Sequence, residues 1–175
     1  MSTPNVQNYA LGKGVVKFDR FDTDGLPTGL RHLGNAPALA LAVAIEKLDH
    51  FSSMEGVRKK DHSVVLTQGA TVKFTLDEYA AENLALAVFG TLTGGVINLL
   101  DSSQIEGELH FIGNSSVGPN YYLKLWRVSL KPTGDLSMIA ETDWAKIEFE
   151  GEVLQDITGH PSQPYGTMER ITSGS

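Results

Sequence analysis

The chain has 175 residues, 41% of them hydrophobic, a formal net charge of −7, a pI near 5.1 and no cysteine. That length suits one domain with its own core. The acidic balance excludes a protein that grips nucleic-acid phosphates, and the missing cysteines exclude a disulfide framework or a thiolate metal site.

Residues 1–11, rich in Asn, Gln and Ser, read as a flexible N-terminal arm. The first residues, Met1-Ser2-Thr3-Pro4-Asn5, lack the basic-then-apolar order of a secretion signal. No apolar run approaches the roughly 20 residues that span a bilayer, so a soluble chain made in a cytoplasm is expected. Residues 14–18 form a short strand. Asp19 to Gly29 is turn-rich, and residues 30–33 form another short strand, closed by Gly34-Asn35 and Pro37.

The dominant feature is a pair of long alternating strands, residues 38–48 and 63–76, joined by a polar, charged loop over 49–62. Leu39, Leu41, Val43 and Ile45 fall on one face; Ala38, Ala40, Ala42, Ala44 and Glu46 fall on the other. Strict alternation of this kind marks a strand with two different neighbours. A row of alanines permits close approach of a second subunit. Eleven residues at ~3.3 Å each reach roughly 36 Å, about twice an ordinary strand, so the hairpin outgrows its domain and points to an assembly protein. Gly69 interrupts the second arm as a candidate bulge or bend.

Thr75 and Glu78 have capping-box spacing, with Asp77 as an alternative cap. Ala81, Leu84, Ala85 and Val88 then recur at helical spacing before Gly90, which predicts a helix packed on the sheet. Residues 91–103 are a looser segment broken at Gly94-Gly95. Three strands follow. In 105–111, Ile105, Leu109 and Phe111 point inward and Glu106, Glu108 and His110 outward. Residues 122–130 end before Pro132. In 144–154, Ile147, Phe149 and Val153 point inward and Lys146, Glu148, Glu150 and Glu152 outward. Residues 156–175 read as an extended tail. The expected fold is one mainly β domain over 1–175: an antiparallel β-sandwich or barrel with one flanking α-helix and a long protruding hairpin loop.

Motifs of catalysis are missing. There is no Gly-x-Ser-x-Gly elbow, no phosphate loop and no His-Glu-x-x-His. Gly12-Lys13-Gly14 reads as turn chemistry. His32, His50, His62, His110 and His160 match no metal spacing, although His50 and His62 flank the hairpin tip and could approach each other. Asp19, Asp22, Asp24 and Gly25 lack the alternation of a calcium loop and read as a turn. No catalytic residue, metal or cofactor is expected. Glu148, Glu150 and Glu152 read as a solvated strand face, and a hydrolase built on them has nothing else to support it. Trp126, Trp144, Tyr121 and Tyr122 read as core or interface aromatics, with a sugar-binding platform as the rival. Arg58-Lys59-Lys60, mixed with Glu55 and Asp61, suits salt bridges to an acidic neighbour in an assembly.

Three stretches carry a resemblance: Leu33-Gly34-Asn35-Ala36-Pro37; then Leu48-Asp49-His50-Phe51-Ser52-Ser53-Met54-Glu55-Gly56-Val57-Arg58-Lys59-Lys60-Asp61; then Ala81-Glu82-Asn83-Leu84-Ala85-Leu86. In order and spacing, over residues 10–90, they resemble the major tail tube protein of bacteriophages with long, non-contractile tails. The C-terminal half is similar only in strand pattern and length. The resemblance implies a sandwich or barrel shared with contractile-tail and type VI secretion tubes, and six-subunit rings stacked into a hollow tube. Neighbouring sheets would join into one inner barrel, with residues 48–61 reaching the adjacent ring. It implies a virion location, a tape measure protein, a tail terminator and distal tail-tip proteins as partners, and DNA passing through the lumen without specific binding. Glu148, Glu150 and Glu152, or Glu106 and Glu108, are then candidates for a net-negative channel wall, and residues 48–62 are expected to order only between rings. A type VI secretion-like tube protein and a carbohydrate-binding β-sandwich are the alternatives.

Overall fold

The computed structural model describes residues 3–54, 56–139 and 141–172. Ten strands occur in chain order: β1 (Gly14–Arg20), β2 (Arg31–His32), β3 (Ala38–Ser52), β4 (Lys59–Leu76), β5 (Thr91–Thr93), β6 (Val96–Asn98), β7 (Ile105–Gly113), β8 (Asn120–Thr133), β9 (Ile147–Val153) and β10 (Gly166–Ile171). One helix, α1 (Ala81–Ala87), lies between β4 and β5, and a 3₁₀ turn spans Val6–Asn8. The protein is mainly β, antiparallel throughout, with one flanking helix, as the strand patterns predict. The main sheet has the order β2-β1-β7-β8-β9-β4-β3, and β10 joins β8 beside the point where β9 leaves off. Among the described residues no helix is long and apolar enough to cross a membrane.

Alternation builds the core. Val16 and Phe18, Leu109, Leu123 and Leu125, Val128 and Leu130, Ile147 and Phe149, and Val72 and Phe74 all reach one buried cluster. A helix of seven residues is only about 10 Å long. Seven strands spaced ~4.8 Å apart are about three times as wide, so the sheet has to curl around its own apolar face, with α1 closing the gap through Leu86.

Several details depart from the sequence reading. The expected loop over 49–62 is mostly ladder: Leu48 pairs with Val64, Asp49 with Ser63, His50 with His62, Phe51 with Lys60 and Ser52 with Lys59. Cross-strand contacts drive this, since Asp49 takes Lys60 Nζ at 2.7 Å and Ser63 Oγ at 2.6 Å. Only residues 53–58 remain as the connecting tip, with Glu55 outside the described residues. Gly69 is not a bulge; it pairs with Ala44, and the unpaired residues are Leu66 and Asp61. Thr75 is no helix cap either, because it is pleated between Ala38 and Glu148. The helix starts at Ala81 with no side-chain cap, while Glu78 and Asp77 accept hydrogen bonds from the Asn35 backbone N–H and side chain.

Gly90 does stop the helix, but the left-handed residue is Phe89 (φ 50°), and the Gly90 N–H closes the turn on the Ala85 carbonyl. The loose segment after it is a hairpin whose turn, Gly94-Gly95 (φ 58° and 81°), fits the left-handed turn that only glycine adopts freely. Strand β8 runs through Pro132, which lies past Leu130, the end of its β7 pairing, where a missing amide costs nothing on that side. The supposed tail over 156–175 contains β10, which pairs with β8 from Gly166↔Leu125 to Ile171↔Asn120; residues 173–175 lie outside the described residues. In the N-terminal arm, the Leu11 N–H reaches the Val117 carbonyl. The aspartates of the first turn serve backbone: Asp22 accepts from Asp24 and Leu26, and buried Asp19 from Thr28 and Gly29.

Candidate functional site

The most unusual part of the molecule is the distal hairpin. Strand β9 accompanies β4 only as far as the Ala70↔Val153 pair. Beyond Val43↔Ala70, β3 and β4 have only each other, over about 33 Å. The exposed apolar side chains lie on both faces of this ribbon: Val43 (70%) and Ile45 on one, Leu48 and Val64 on the other, with Met54 (93%) at the tip. An isolated two-stranded ribbon is marginal in water, and exposed apolar surface of this extent marks a contact site. Leu39 and Leu41, at the root, do pack on the core. The alternation therefore reads the faces of β3 correctly, but the core covers only its first third.

Below the free ribbon, where β4 and β10 diverge, an apolar groove of about 370 Å³ opens, lined by Leu41, Val43, Ile45, Leu125, Tyr165 and Met168 among others. Tyr165 Oη donates to the Gln68 carbonyl across it.

The opposite face of the sheet carries the charges. Register places Ala38, Thr75, Glu148 and Thr133 in one row; Ala40, Lys73, Glu150 and Lys131 in the next; and Ala42, Thr71, Glu152, Ser129 and Glu106 in a third. The alanines and the candidate lumen carboxylates thus share one face, so Ala38, Ala40, Ala42 and Ala44 are not a separate packing surface. What β3 offers a neighbour is its free edge, since it ends the strand order.

The face is also a mixed-charge lattice rather than a bare acidic wall. Glu150 accepts from Lys73 Nζ at 2.8 Å and Lys131 Nζ at 2.9 Å; Glu106 binds the Arg127 guanidinium; Glu108 lies 2.6 Å from His110 Nε2. Among the described residues Glu148 and Glu152 have no ion-pair partner.

Hydrogen bonds from Lys73 and then Lys131 hold the Glu150 carboxyl at about 2, against an ordinary value of 4.5. A carboxyl whose value is depressed on folding stabilises the fold above its unfolded value and loses that contribution as pH falls toward the folded one. Glu150→Gln should therefore lower the melting temperature at pH 7, and the gap to the parent should close between pH 4.5 and about 2, as thermal melts across that range would measure.

His110 sits on the outward face, as the alternation predicts, yet is buried, because Tyr122 Oη lies 2.7 Å from Nδ1 and Glu108 covers the other nitrogen. His50 and His62 are direct cross-strand partners, and His50 Nδ1 lies 2.6 Å from Asp61. Lys60 and Arg58 are used within the hairpin, Lys60 on Asp49 and Arg58 over the Phe51 ring.

The aromatics do not form one platform. Trp126 stacks flat on His160 at 3.8 Å and donates its indole N–H to the Gln163 carbonyl, pinning the 154–165 loop. His160 and the Gly159 N–H in turn keep the Asp156 carboxyl below its ordinary range. Trp144 is far from them along the fold, in the loop between β8 and β9, and is 86% exposed.

Sequence reasoning passed over Asn83. This buried amide donates to the Leu33 and Glu78 carbonyls and accepts from Arg31 Nη1 at 2.9 Å. It thereby ties α1 to the Leu33-Gly34-Asn35 turn, joining two of the three stretches that carry the resemblance. A polar residue three positions before buried Leu86 on a short apolar helix was its only signal.

No curated protein matches the chain. A family model does, over residues 9–96 and 93–171, which together cover nearly the whole length. The chain belongs to this family, which is described as protein of unknown function UCP028589.

Proposed function

We propose that this protein is a structural tube subunit, the major tail tube protein of a bacteriophage with a long, non-contractile tail. It polymerises as stacked hexameric rings around a bore through which DNA is ejected, working with a tape measure protein, a tail terminator and distal tail-tip proteins. It performs no catalysis. The observation that carries this reading is the ribbon formed by residues 43–69, which leaves the sheet with apolar side chains on both faces and neither outer edge paired. Such a segment gains its stability from a neighbour. The free edge of β3 supports lateral closure, since joining edges of successive subunits into a barrel removes them. The carboxylate face, on which Glu148 and Glu152 have no ion-pair partner among the described residues, would line the bore, where a partly paired lattice with an excess of carboxylates does not grip the phosphate backbone.

Negative-stain microscopy of the purified protein tests this: rings or hollow tubes are the expected result, and reconstruction should place Glu148 and Glu152 on the inner wall. A protein that stays monomeric under every condition and is absent from virion shafts overturns the reading.

A further inference from the structure

The loop between β9 and β10 is held by a side chain that changes charge near neutral pH. Residues 154–165 leave β9 and return as β10, and both strands lie antiparallel along β8. Backbone hydrogen bonds close the two ends of the excursion. The Leu154 N–H donates to the Arg127 carbonyl, the Asp156 N–H to the Pro164 carbonyl, and the Trp126 N–H to the Tyr165 carbonyl. Side chains hold its middle. The His160 ring lies on the Trp126 indole with an angle of 2° between the planes, and its Nδ1 is 2.8 Å from Asp156 Oδ2. The indole N–H donates to the Gln163 carbonyl at 2.9 Å, and the Gln163 N–H donates to the His160 carbonyl at 3.2 Å. Gly159 admits this arrangement, because a β-carbon there would collide with the Asp156 carboxylate. Residues 154–165 carry no other charged side chain.

The same loop reaches the ribbon. Tyr165 Oη accepts from Gln155 Nε2 at 2.8 Å and donates to the Gln68 carbonyl at 3.2 Å. Gln68 lies two residues from Ala70, where the pairing of β4 with β9 ends. Tyr165 therefore braces the point at which β3 and β4 leave the sheet.

We infer that Trp126, His160 and Asp156 form a pH-set clasp, closed by a proton on His160, that fixes this loop and, through Tyr165, the root of the ribbon. A neutral imidazole stacks on the indole and donates one hydrogen bond. The imidazolium adds an ion pair with Asp156 and a cation over the indole face. The His160 and Asp156 side chains are 40% and 30% exposed, so water weakens the pair without abolishing it. Charges on the neighbouring strands are mostly engaged elsewhere. Arg127 of β8, which opposes a second cation, is bound by Glu106 of β7; Glu108 of β7 is taken by His110; and Lys124 of β8 sits over the Tyr122 ring. Glu152 of β9 lies opposite Ser129, and Glu169 and Arg170 of β10 lie opposite Tyr122 and Tyr121. An imidazole ordinarily gains its proton below about pH 6.5. The Asp156 carboxyl, held below its ordinary 3.8 by His160 and then the Gly159 N–H, keeps its charge to more acidic values. The clasp is therefore tightest between about pH 4 and 6 and loosens on either side. It works within one chain and does not depend on the assembly reading.

The chain has two tryptophans, so in a Trp144→Phe background Trp126 is the sole indole. Its emission should fall as pH is lowered from 7.5 to 5.5, because a protonated imidazole in stacking contact quenches an excited indole. His160→Gln should lose that step, since glutamine keeps a donor for Asp156 but carries no charge. Amide hydrogen exchange of the full chain reads the loop and the ribbon together, and comparing parent and variant at one pH cancels the intrinsic pH dependence of exchange. At pH 5.5 the amides of residues 155–165 and 67–69 should exchange about two- to fivefold more slowly in the parent than in His160→Gln. That difference should shrink at pH 7.5. Tyr165→Phe should keep the emission step while losing the pH-dependent protection at 67–69. Emission that does not titrate, a step that persists in His160→Gln, or protection at 67–69 that differs equally at pH 5.5 and 7.5 would overturn the clasp.

Discussion

A variant lacking residues 51–60, with the hairpin closed by a two-residue turn, should fold as a monomer and form no tubes. No residue of that segment belongs to the buried core cluster. Its internal ties are the Asp49–Lys60 ion pair and the stacking of Arg58 on Phe51, both at the surface. Exposed pairs of this kind contribute about 0–1 kcal/mol, so the melting temperature should stay within about 5 °C of the parent. Assembly is a different matter. The deletion removes Phe51, Met54 and Val57 together with the only run of three consecutive cations. Sedimentation and electron microscopy at matched concentration would check it. Normal tubes from the shortened chain would show that the protruding ribbon has no part in stacking.

The second large effect is expected inside the fold. Asn83→Ala strips partners from the Leu33 carbonyl and from Arg31 in a buried setting. Arg31 already has one nitrogen, Nη2, buried with no hydrogen-bond partner, and burial lowers the proton affinity of its guanidinium. Leaving a buried polar group unsatisfied costs about 1–3 kcal/mol, more when it is charged, so a loss of about 2–4 kcal/mol is expected in denaturant or thermal unfolding. Asn83→Asp, which keeps an acceptor for Arg31 but loses the amide donor, should recover part of it. A melting temperature unchanged by Asn83→Ala would mean that the apolar contacts of α1, led by Leu86, hold it to the sheet without this amide.

Much of this architecture is legible in the sequence, for a plain reason. Where one face of a strand is buried, alternation with period two is enforced, and it shows in Ala38 to Ala42, in Val72 to Leu76 and in Ile147 to Val153. What escapes is set by partners distant in the chain. The bulges at Leu66 and Asp61 insert one residue each and leave no compositional trace. The capping pattern at Thr75 loses to pleated pairing on both sides of the residue, a local preference overridden by the sheet. Strand β10 follows Pro164 and is only six residues long, so it reads as tail until Leu123 and Leu125 are seen to border it. The candidate site divides in the same way. The hairpin is visible from its length, while the sharing of one face by alanines and glutamates depends on β9 lying against β4, which no local pattern encodes.

The two extra residues in β4 also bear on how a chain with so much bare ribbon stays tractable in solution. A flat pair of strands with open sides is a template for its own kind, and stacking of identical segments leads to amyloid. Each insertion coils the ribbon more tightly and spoils the straight row of amides that an identical ribbon would need. The irregularity thus works against edge-to-edge pairing of one extension with the same extension of a second molecule.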